Sequence, residues 1–227
     1  MLSLWVSIRD LGWQLYLLRF RILGMRRREG RDCTHLPLRK LRSRDRVLDT
    51  MRRGGRRIVK HWTDRELSDE LKNLTIICDT REQDQHVAEY FKKQKIPTIT
   101  RKIDTGDYSC QLGDMTFEKD IVVERKRNLD EICGNFTAER ERFEREFLRA
   151  RAYGTKVVLI IENATWTDIF LGNYRSKTNP KSLLASLLSW MVRFNITVTF
   201  CKPDETARIM YGIFHYYVKE VLTNGKR

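Results

Sequence analysis

The sequence lacks paired cysteines. Its five cysteines lie far apart, with no CxxC pair and no Cys/His cluster at zinc-binding spacing: Cys33, Cys78, Cys110, Cys133 and Cys201. The odd number and the wide spacing argue against a disulfide framework and against the common structural zinc sites. We therefore expect a reducing, cytoplasmic setting for this protein.

Long apolar runs are also missing. The N-terminal segment MLSLWVSIRDLGWQLYLLRFRILGMRRR contains apolar stretches, but these are interrupted by Arg9, Asp10, Arg19 and Arg21. They fall well short of the roughly 20 apolar residues that a membrane-spanning helix needs. The segment also lacks the basic-first order and the small-residue cleavage site of a secretory signal. The sequence thus predicts no membrane partner and a cytoplasmic protein, with a nuclear protein or an organelle presequence as the alternatives.

Positive charge is concentrated in one part of the chain. The formal net charge is +14, of which residues 1–60 contribute +12 and residues 61–227 only +2. Apolar residues are too sparse between residues 25 and 57 to cover a core. Residues 1–60 are therefore interpreted as a disordered basic arm, as a non-specific clamp on nucleic-acid phosphates, or as both. A third alternative is that the functional product begins at Met25 or Met51.

From residue 61 onward the apolar residues become periodic. WTDRELSDELKN predicts a helix capped by Thr63, and KVVLII predicts a strand in the middle of a sheet that is covered on both faces. Residues 129–152 have helical spacing, and Gly113-Asp114 fits a hairpin turn between the second and third strands. The order is strand, helix, three-strand meander, helix, strand, helix, strand, helix. It predicts a mixed α/β fold with helices on both faces of the sheet.

Carboxylates and one lysine occur at the predicted strand ends. Glu124 and Lys126 point to the same face if their segment is a strand, because side chains alternate with period two. Asp107 begins the strand that would pair with this one, and Asp79 ends a neighbouring strand. Mutual repulsion makes several buried carboxylates costly unless a cation lies among them. Oxygen ligands of this kind suit Mg²⁺ or Mn²⁺, which could activate water for phosphodiester hydrolysis.

Three motifs carry a resemblance to a known family. GDY at 106–108, ERKRNLD at 124–130 and DTRE at 79–82 resemble the motifs of the XPF-type structure-specific endonucleases. That family is a branch of the PD-(D/E)xK restriction-endonuclease-like superfamily. The resemblance implies an ERCC4-type nuclease domain over residues 61–227, preceded by the basic extension of residues 1–60. It also implies DNA as the partner, hydrolysis of phosphodiester bonds in branched or flap structures, and a role in DNA repair or recombination.

The resemblance also implies roles for individual residues. Asp107 and Glu124 would bind the metal ion together with the backbone carbonyl of Arg125, and Lys126 would orient or activate the attacking water. Asp79 and Glu82 would support this ion or a second one, with Asp79 as a further ligand. Arg125 and Asp130 would organise the site and the scissile phosphate. The DNA contacts expected on the same basis come from three arginines: Arg81, Arg125 and Arg140.

Many family members carry a tandem helix-hairpin-helix module after the nuclease domain, and we expect none here because the sequence ends at Arg227. The chain resembles the compact, stand-alone members of bacteria and phages, so branch or flap preference is left open. Two alternatives remain: a catalytically inactive DNA-binding or scaffold protein of the same fold, and a junction resolvase or RNase of the same superfamily.

Several residues have a structural interpretation beside the functional one. Asp130 could simply favour the first turn of a helix through the helix dipole. The arginines of ERERFEREFLRAR are typical of a solvated helix face. Three histidines, His61, His86 and His215, are interpreted as incidental. The C-terminal aromatic residues are interpreted first as core and second as a homodimer surface: Tyr211, Phe214, Tyr216 and Tyr217.

Overall fold

The computed structural model describes residues 62–82, 85–137 and 139–224, so the predictions for residues 1–60 and for His61 lie outside the described residues. The strands of the described part are β1 Leu74–Cys78, β2 Thr98–Thr100, β3 Tyr108–Leu112, β4 Met115–Thr116, β5 Ile121–Lys126, β6 Lys156–Glu162 and β7 Thr197–Cys201. Its helices are α1 Asp64–Leu71, α2 Gln85–Lys93, α3 Leu129–Thr137, α4 Arg140–Tyr153, α5 Trp166–Leu171, α6 Pro180–Phe194 and α7 Pro203–Asn224.

The strands form one mixed sheet in the order β2-β1-β3-β5-β6-β7, with β4 paired to β3. β1 is parallel to β2 and antiparallel to β3, while β5, β6 and β7 run parallel. β6 lies between two partners and has six consecutive buried residues, as its apolar sequence predicts. The predicted fold class, a mixed α/β sheet with helices, is confirmed.

Two apolar clusters cover the two faces of this sheet. Side chains of α1, α2 and α7 pack with one cluster, and side chains of α3, α4, α5 and α6 pack with the other. Along β5, Val123 belongs to the first cluster and Val122 to the second. This alternation places Glu124 and Lys126 on the face of α3 and α4, and it places Arg125 on the face of α2 and α7. The shared face predicted for Glu124 and Lys126 is therefore observed.

Helix α1 begins where its cap predicts. The Thr63 hydroxyl accepts a hydrogen bond from Glu66 N at 3.3 Å, and the Glu66 carboxylate accepts from Thr63 N at 2.9 Å. This reciprocal pair satisfies two of the amide donors that a helix start leaves unpaired. The residues Leu67 and Leu71 then pack into the core.

The single helix predicted over residues 129–152 is wrong, because the segment forms the two helices α3 and α4. The Thr137 hydroxyl donates to the carbonyl oxygens of Cys133 and Gly134, at 3.1 and 3.2 Å. Side-chain bonds of this kind compete with the regular helical ladder. At Glu139 the backbone has φ −113° and ψ 11°, outside the helical region, immediately before α4 begins.

Two other predicted boundaries differ from the structure. The Gly113-Asp114 turn joins β3 to the short strand β4, not to β5, and Gly113 has the positive φ of +55° that such a tight turn requires. β5 starts only at Ile121, and its register with β3 pairs Tyr108 with Val123. The first strand of the predicted meander, β2, covers only Thr98–Thr100. Within the described part of the chain, no helix is both long and apolar enough to cross a membrane.

Candidate active site

Asp107 joins the ends of three strands. Its backbone N–H donates to Val123 O at 2.9 Å, and its carbonyl oxygen accepts from Asp79 N at 2.8 Å. Its side-chain Oδ2 accepts from Arg125 N at 2.8 Å. The ends of β1, β3 and β5 therefore meet at Asp107. Asp107 lies beside the end of β5, as predicted from the pairing of its strand with β5.

Gly106 makes this close approach possible. Its φ is +79°, a left-handed conformation that side chains rarely adopt. A Cβ atom at this position would lie 3.0 Å from Cβ of Val122 and 3.1 Å from the carbonyl oxygen of Val123. A glycine before Asp107 is thus required both by the backbone angle and by the contact with β5.

Asp107 and Glu124 form an electrostatically strained pair of carboxylates. Burial raises the pKa of Asp107 well above its ordinary value, and the neighbouring Glu124 carboxylate raises it further. Burial likewise raises the pKa of Glu124, although Lys126 partly opposes this effect. Both shifts mean that the ionised carboxylates lack sufficient compensating positive charge. A cation bound between these two side chains would supply it.

Lys126 is buried beside Glu124. Its side chain is 10 % exposed; Nζ donates to Glu124 Oε1 at 2.7 Å and lies 3.5 Å from Glu131 Oε1. The ammonium also lies 5.1 Å from the centre of the Phe143 ring, within cation–π range. Burial lowers the pKa of Lys126, but the Glu124 carboxylate outweighs burial and the pKa is raised. Lys126 is therefore an ammonium in this arrangement and can act as a hydrogen-bond donor.

The structure does not bring Asp79 into this group as a metal ligand. Its carboxylate accepts from Arg81 Nε at 2.7 Å, from Arg81 N at 2.8 Å and from Ile103 N at 2.6 Å. Although burial raises the pKa of Asp79, these hydrogen bonds lower it more. Among residues 62–82, 85–137 and 139–224, no group of three or more His, Cys, Asp or Glu side chains is arranged to hold a metal ion. Asp79 is thus paired with Arg81 in this structure, and its role as a metal ligand stays a prediction.

Arg125 is buried between two carboxylates. Its side chain is 4 % exposed and is held between Glu162 Oε2 at 2.9 Å and Glu82 Oε1 at 3.3 Å. Its contact with DNA stays a prediction. The organising role expected for Arg125 is compatible with these contacts, since they link the end of β5 to Glu82 and to Glu162 at the end of β6.

Glu162 is a residue that the sequence analysis missed. It ends β6, its side chain is 2 % exposed, and its Oε1 accepts from Thr206 Oγ1 at 2.6 Å. His86 Nε2 lies 2.9 Å from the same oxygen. The one available signal was the charged residue that ends the otherwise apolar strand KVVLIIE, since isolated carboxylates are rarely buried without a partner.

Asp130 binds a loop that is distant in sequence, through hydrogen bonds from Arg175 and Ser176. It lies in the first turn of α3, as its structural interpretation predicts, and its Oδ1 accepts from Arg175 N at 2.8 Å and from Ser176 N at 2.7 Å. Its Oδ2 accepts from Arg175 Nε at 3.2 Å. Burial raises the pKa of Asp130, but these hydrogen bonds lower it more.

The other two arginines expected to contact DNA are engaged within the protein. Arg81 has an exposed fraction of 61 %, but its guanidinium binds Asp79 and the carbonyl oxygen of Ile103. Arg140 donates to Glu144 at 3.0 Å and to Ser186 at 3.4 Å. Their roles toward DNA stay predictions.

The chain thus has a mixed α/β sheet with helices on both faces, and acidic residues and a lysine lie at its strand ends. The family model of the ERCC4 domain matches residues 78–213, more than half of the chain, so the chain belongs to the ERCC4 domain family. The predicted resemblance to XPF-type nucleases is confirmed at this level. The expectation of a bacterial or phage-encoded protein stays a prediction.

Two solved structures are similar to this chain. One is XPF from Aeropyrum pernix, with 20 % identity and a TM-score of 0.47 over 62 % of this chain and 65 % of that chain. The other is XPF from Aeropyrum pernix in complex with DNA, with 20 % identity and a TM-score of 0.49 over 64 % and 65 % of the two chains. The match spans less than two thirds of that protein. No curated protein matches this chain.

Proposed function

We propose that this protein is a divalent-metal-dependent DNA endonuclease that hydrolyses phosphodiester bonds. The observation that carries the proposal is the group formed by Asp107, Glu124 and Lys126, in which two carboxylates of raised pKa face a single ammonium. Membership of the ERCC4 domain family supports a nuclease acting on DNA. The cleavage assay described below determines whether the enzyme prefers branched, flap or linear DNA.

The donor set fits a hard divalent cation such as Mg²⁺ or Mn²⁺. Both prefer oxygen ligands, and Mg²⁺ in particular is commonly held by one or two carboxylates with water completing its shell. Asp107, Glu124 and the backbone carbonyl of Arg125 would hold the ion. When bound, it would supply charge neutralisation for the phosphodiester and lower the pKa of a coordinated water. Asp79 is proposed as a positioning residue, because its carboxylate fixes Arg81 and the backbone at Ile103.

Lys126 is proposed to donate hydrogen bonds to the attacking water or to a phosphoryl oxygen. An ammonium fixed by Glu124 can orient the water and stabilise the negative charge that develops during attack. The Phe143 ring and the burial of the aliphatic part of the Lys126 side chain limit the orientations of its ammonium group. Asp107 has a second function, since its Oδ2 holds Arg125 N and thereby the end of β5.

A cleavage assay of the full chain tests the proposal. We expect cutting of at least one end-labelled DNA substrate among linear duplex, flap, fork and four-way junction in Mg²⁺ or Mn²⁺, and none in EDTA. Matched RNA substrates separate a DNase from an RNase. DNA binding without cleavage in either metal would favour the inactive scaffold instead, and cleavage of RNA alone would overturn the choice of DNA.

Replacing Lys126 with Met should lower the single-turnover cleavage rate by about two to three orders of magnitude, the usual cost of removing one donor to developing charge. Manganese affinity should change little, because the ammonium is not a ligand. The matched control is Lys156→Met, since Lys156 is exposed at the start of β6. If added Mn²⁺ restored the rate of Lys126→Met, the lysine would control metal binding and the role assigned here would be wrong.

A chain that begins at Met51 should keep the single-turnover rate at saturating DNA. The truncation removes 12 basic and 5 acidic residues and leaves every residue of the proposed site in place. If residues 1–50 neutralise DNA phosphates, the plot of log affinity against log salt concentration becomes shallower. An unchanged slope would exclude the phosphate clamp, and an insoluble product would show that the apolar residues of 1–23 belong to a core or an interface.

A further inference from the structure

The stretch from the end of α5 to the start of α7 carries an unusual charge balance. Residues 169–203 contain five basic residues and no acidic one. Three of the five lie within seven positions, in and beside the loop of residues 173–179 that precedes α6: Arg175, Lys177 and Lys181. All three side chains are exposed, and Arg175 is 89 % exposed. This concentration contrasts with residues 61–227 as a whole, where the net charge is only +2.

The arginines on α4 provide an internal comparison. Arg140, Arg142 and Arg145 each form an ion pair with a nearby glutamate, at Glu144, Glu139 and Glu141 respectively. Their positive charge is compensated locally, which is typical of a solvated helix face. In the described part of the chain, Lys177 and Lys181 form no ion pair. The charges of Lys177 and Lys181 are therefore available to an external anion, whereas those of Arg140, Arg142 and Arg145 are compensated by glutamates.

The loop lies at the same edge of the sheet as the candidate site. β5, β6 and β7 are parallel, so the connection from β6 to β7 begins at the edge where β5 ends with Lys126 and returns through α6. Asp130, four residues after Lys126, accepts from Arg175 N and Ser176 N and so ties the loop to the start of α3. In parallel sheets, ligands bind beyond the carboxyl ends of the strands.

The loop is also internally fixed. The Tyr174 hydroxyl donates to Thr178 O at 2.8 Å, and the hydroxyls of Ser176 and Thr178 lie 2.9 Å apart. Thr178 N donates to Ser176 Oγ at 3.2 Å. A loop that is already ordered presents its cations without the entropic cost of ordering on binding.

We propose that the loop of residues 173–179, together with Lys181, binds the phosphodiester backbone of the nucleic-acid strand that enters the active site. Exposed arginine and lysine side chains are the groups that contact phosphates. Lys177 and Lys181 have no carboxylate partner among the described residues, whereas Arg175 is paired with Asp130. This inference rests on the proposed function and adds the surface by which the substrate is held. Asp130 is then a positioning residue, since it holds the loop beside Lys126 and does not itself contact the phosphate.

The test compares two variants of the full chain with equal loss of charge. Lys177→Ala/Lys181→Ala removes two cations and leaves the bonds between Asp130 and Arg175 intact. Lys92→Ala/Lys93→Ala removes two exposed lysines from the last turn of α2, which packs on the opposite face of the sheet. Affinity for a fluorescein-labelled linear duplex is measured by anisotropy in EDTA over a range of salt concentrations, and cleavage is measured in Mg²⁺.

The loop variant should reduce the slope of log affinity against log salt by about 1.8, because two phosphate contacts each contribute about 0.9. The control pair should leave the slope unchanged, and melting curves should show both variants folded. Equal slopes for the two pairs, with wild-type protein still cutting DNA, would overturn the loop inference and leave the proposed function standing. Wild-type protein that neither binds nor cuts DNA would overturn both.

Discussion

Asp107→Asn should abolish detectable cleavage while leaving the protein at least as stable as wild type. The substitution removes the charge proposed to bind the metal but keeps a side-chain oxygen that can accept from Arg125 N, as Oδ2 does now. Because burial and Glu124 raise the pKa of Asp107, its ionised form is unfavourable in the folded protein. Removing that charge should therefore not cost stability.

The pH dependence gives this prediction a sign. A carboxyl group whose pKa is higher in the folded than in the unfolded state destabilises the fold above its folded pKa, and the effect disappears below its unfolded pKa. The stability advantage of Asp107→Asn in EDTA should therefore grow as the pH rises through the raised pKa. Added Mg²⁺ should stabilise wild type and not the variant. Near-normal cleavage by Asp107→Asn, or equal stabilisation of both proteins by Mg²⁺, would refute the metal site.

Glu162→Ala should lower the free energy of unfolding by about 3–5 kcal/mol, the typical cost of removing one partner of a buried ion pair. The carboxylate compensates the Arg125 guanidinium, whose side chain is 4 % exposed, and it accepts from Thr206. Without it, Arg125 retains its ion pair with Glu82 at 3.3 Å. Chemical denaturation measures the loss, and Glu89→Ala on the exposed surface of α2 is the control.

A double substitution distinguishes two causes of the stability loss in Glu162→Ala: the broken ion pair and the cavity left by the smaller side chain. Arg125→Met/Glu162→Met should recover a large part of the stability, because a buried pair can often be replaced by apolar side chains of similar volume. Cleavage should remain impaired in the double variant, since the end of β5 loses its contact with Glu82. If Glu162→Ala unfolded no more easily than Glu89→Ala, Glu162 would not support the site.

The parts of the site that follow from local geometry could be predicted from the sequence. Side-chain alternation along β5 depends only on neighbouring residues, so the shared face of Glu124 and Lys126 was accessible from VVERK. The meeting of Asp107 with the end of β5 required only that two adjacent strands pair antiparallel. The capped start of α1 at Thr63 is similarly local.

The missed features depend on partners that are distant in sequence. The Glu162 carboxylate accepts hydrogen bonds from Arg125, 37 positions earlier in the sequence, and from Thr206, 44 positions later. The contact of Asp130 with Ser176 spans 46 positions. Asp79 was expected to bind a metal ion. From the sequence, however, a carboxylate at a strand end could pair with either a metal cation or an arginine. Only the positions of Arg81 and Ile103 in space distinguish the two.

The hydrogen bonds of Asp107 restrict which substitutions could remove the proposed activity during evolution and still preserve the fold. One residue closes the sheet through its backbone and its side chain, so most replacements would weaken the link between β3 and β5 as well as the chemistry. A lineage that abandons catalysis while keeping the fold would have few neutral routes. Asparagine, which retains an acceptor of the same length, is the replacement that such pseudoenzymes should carry at this position.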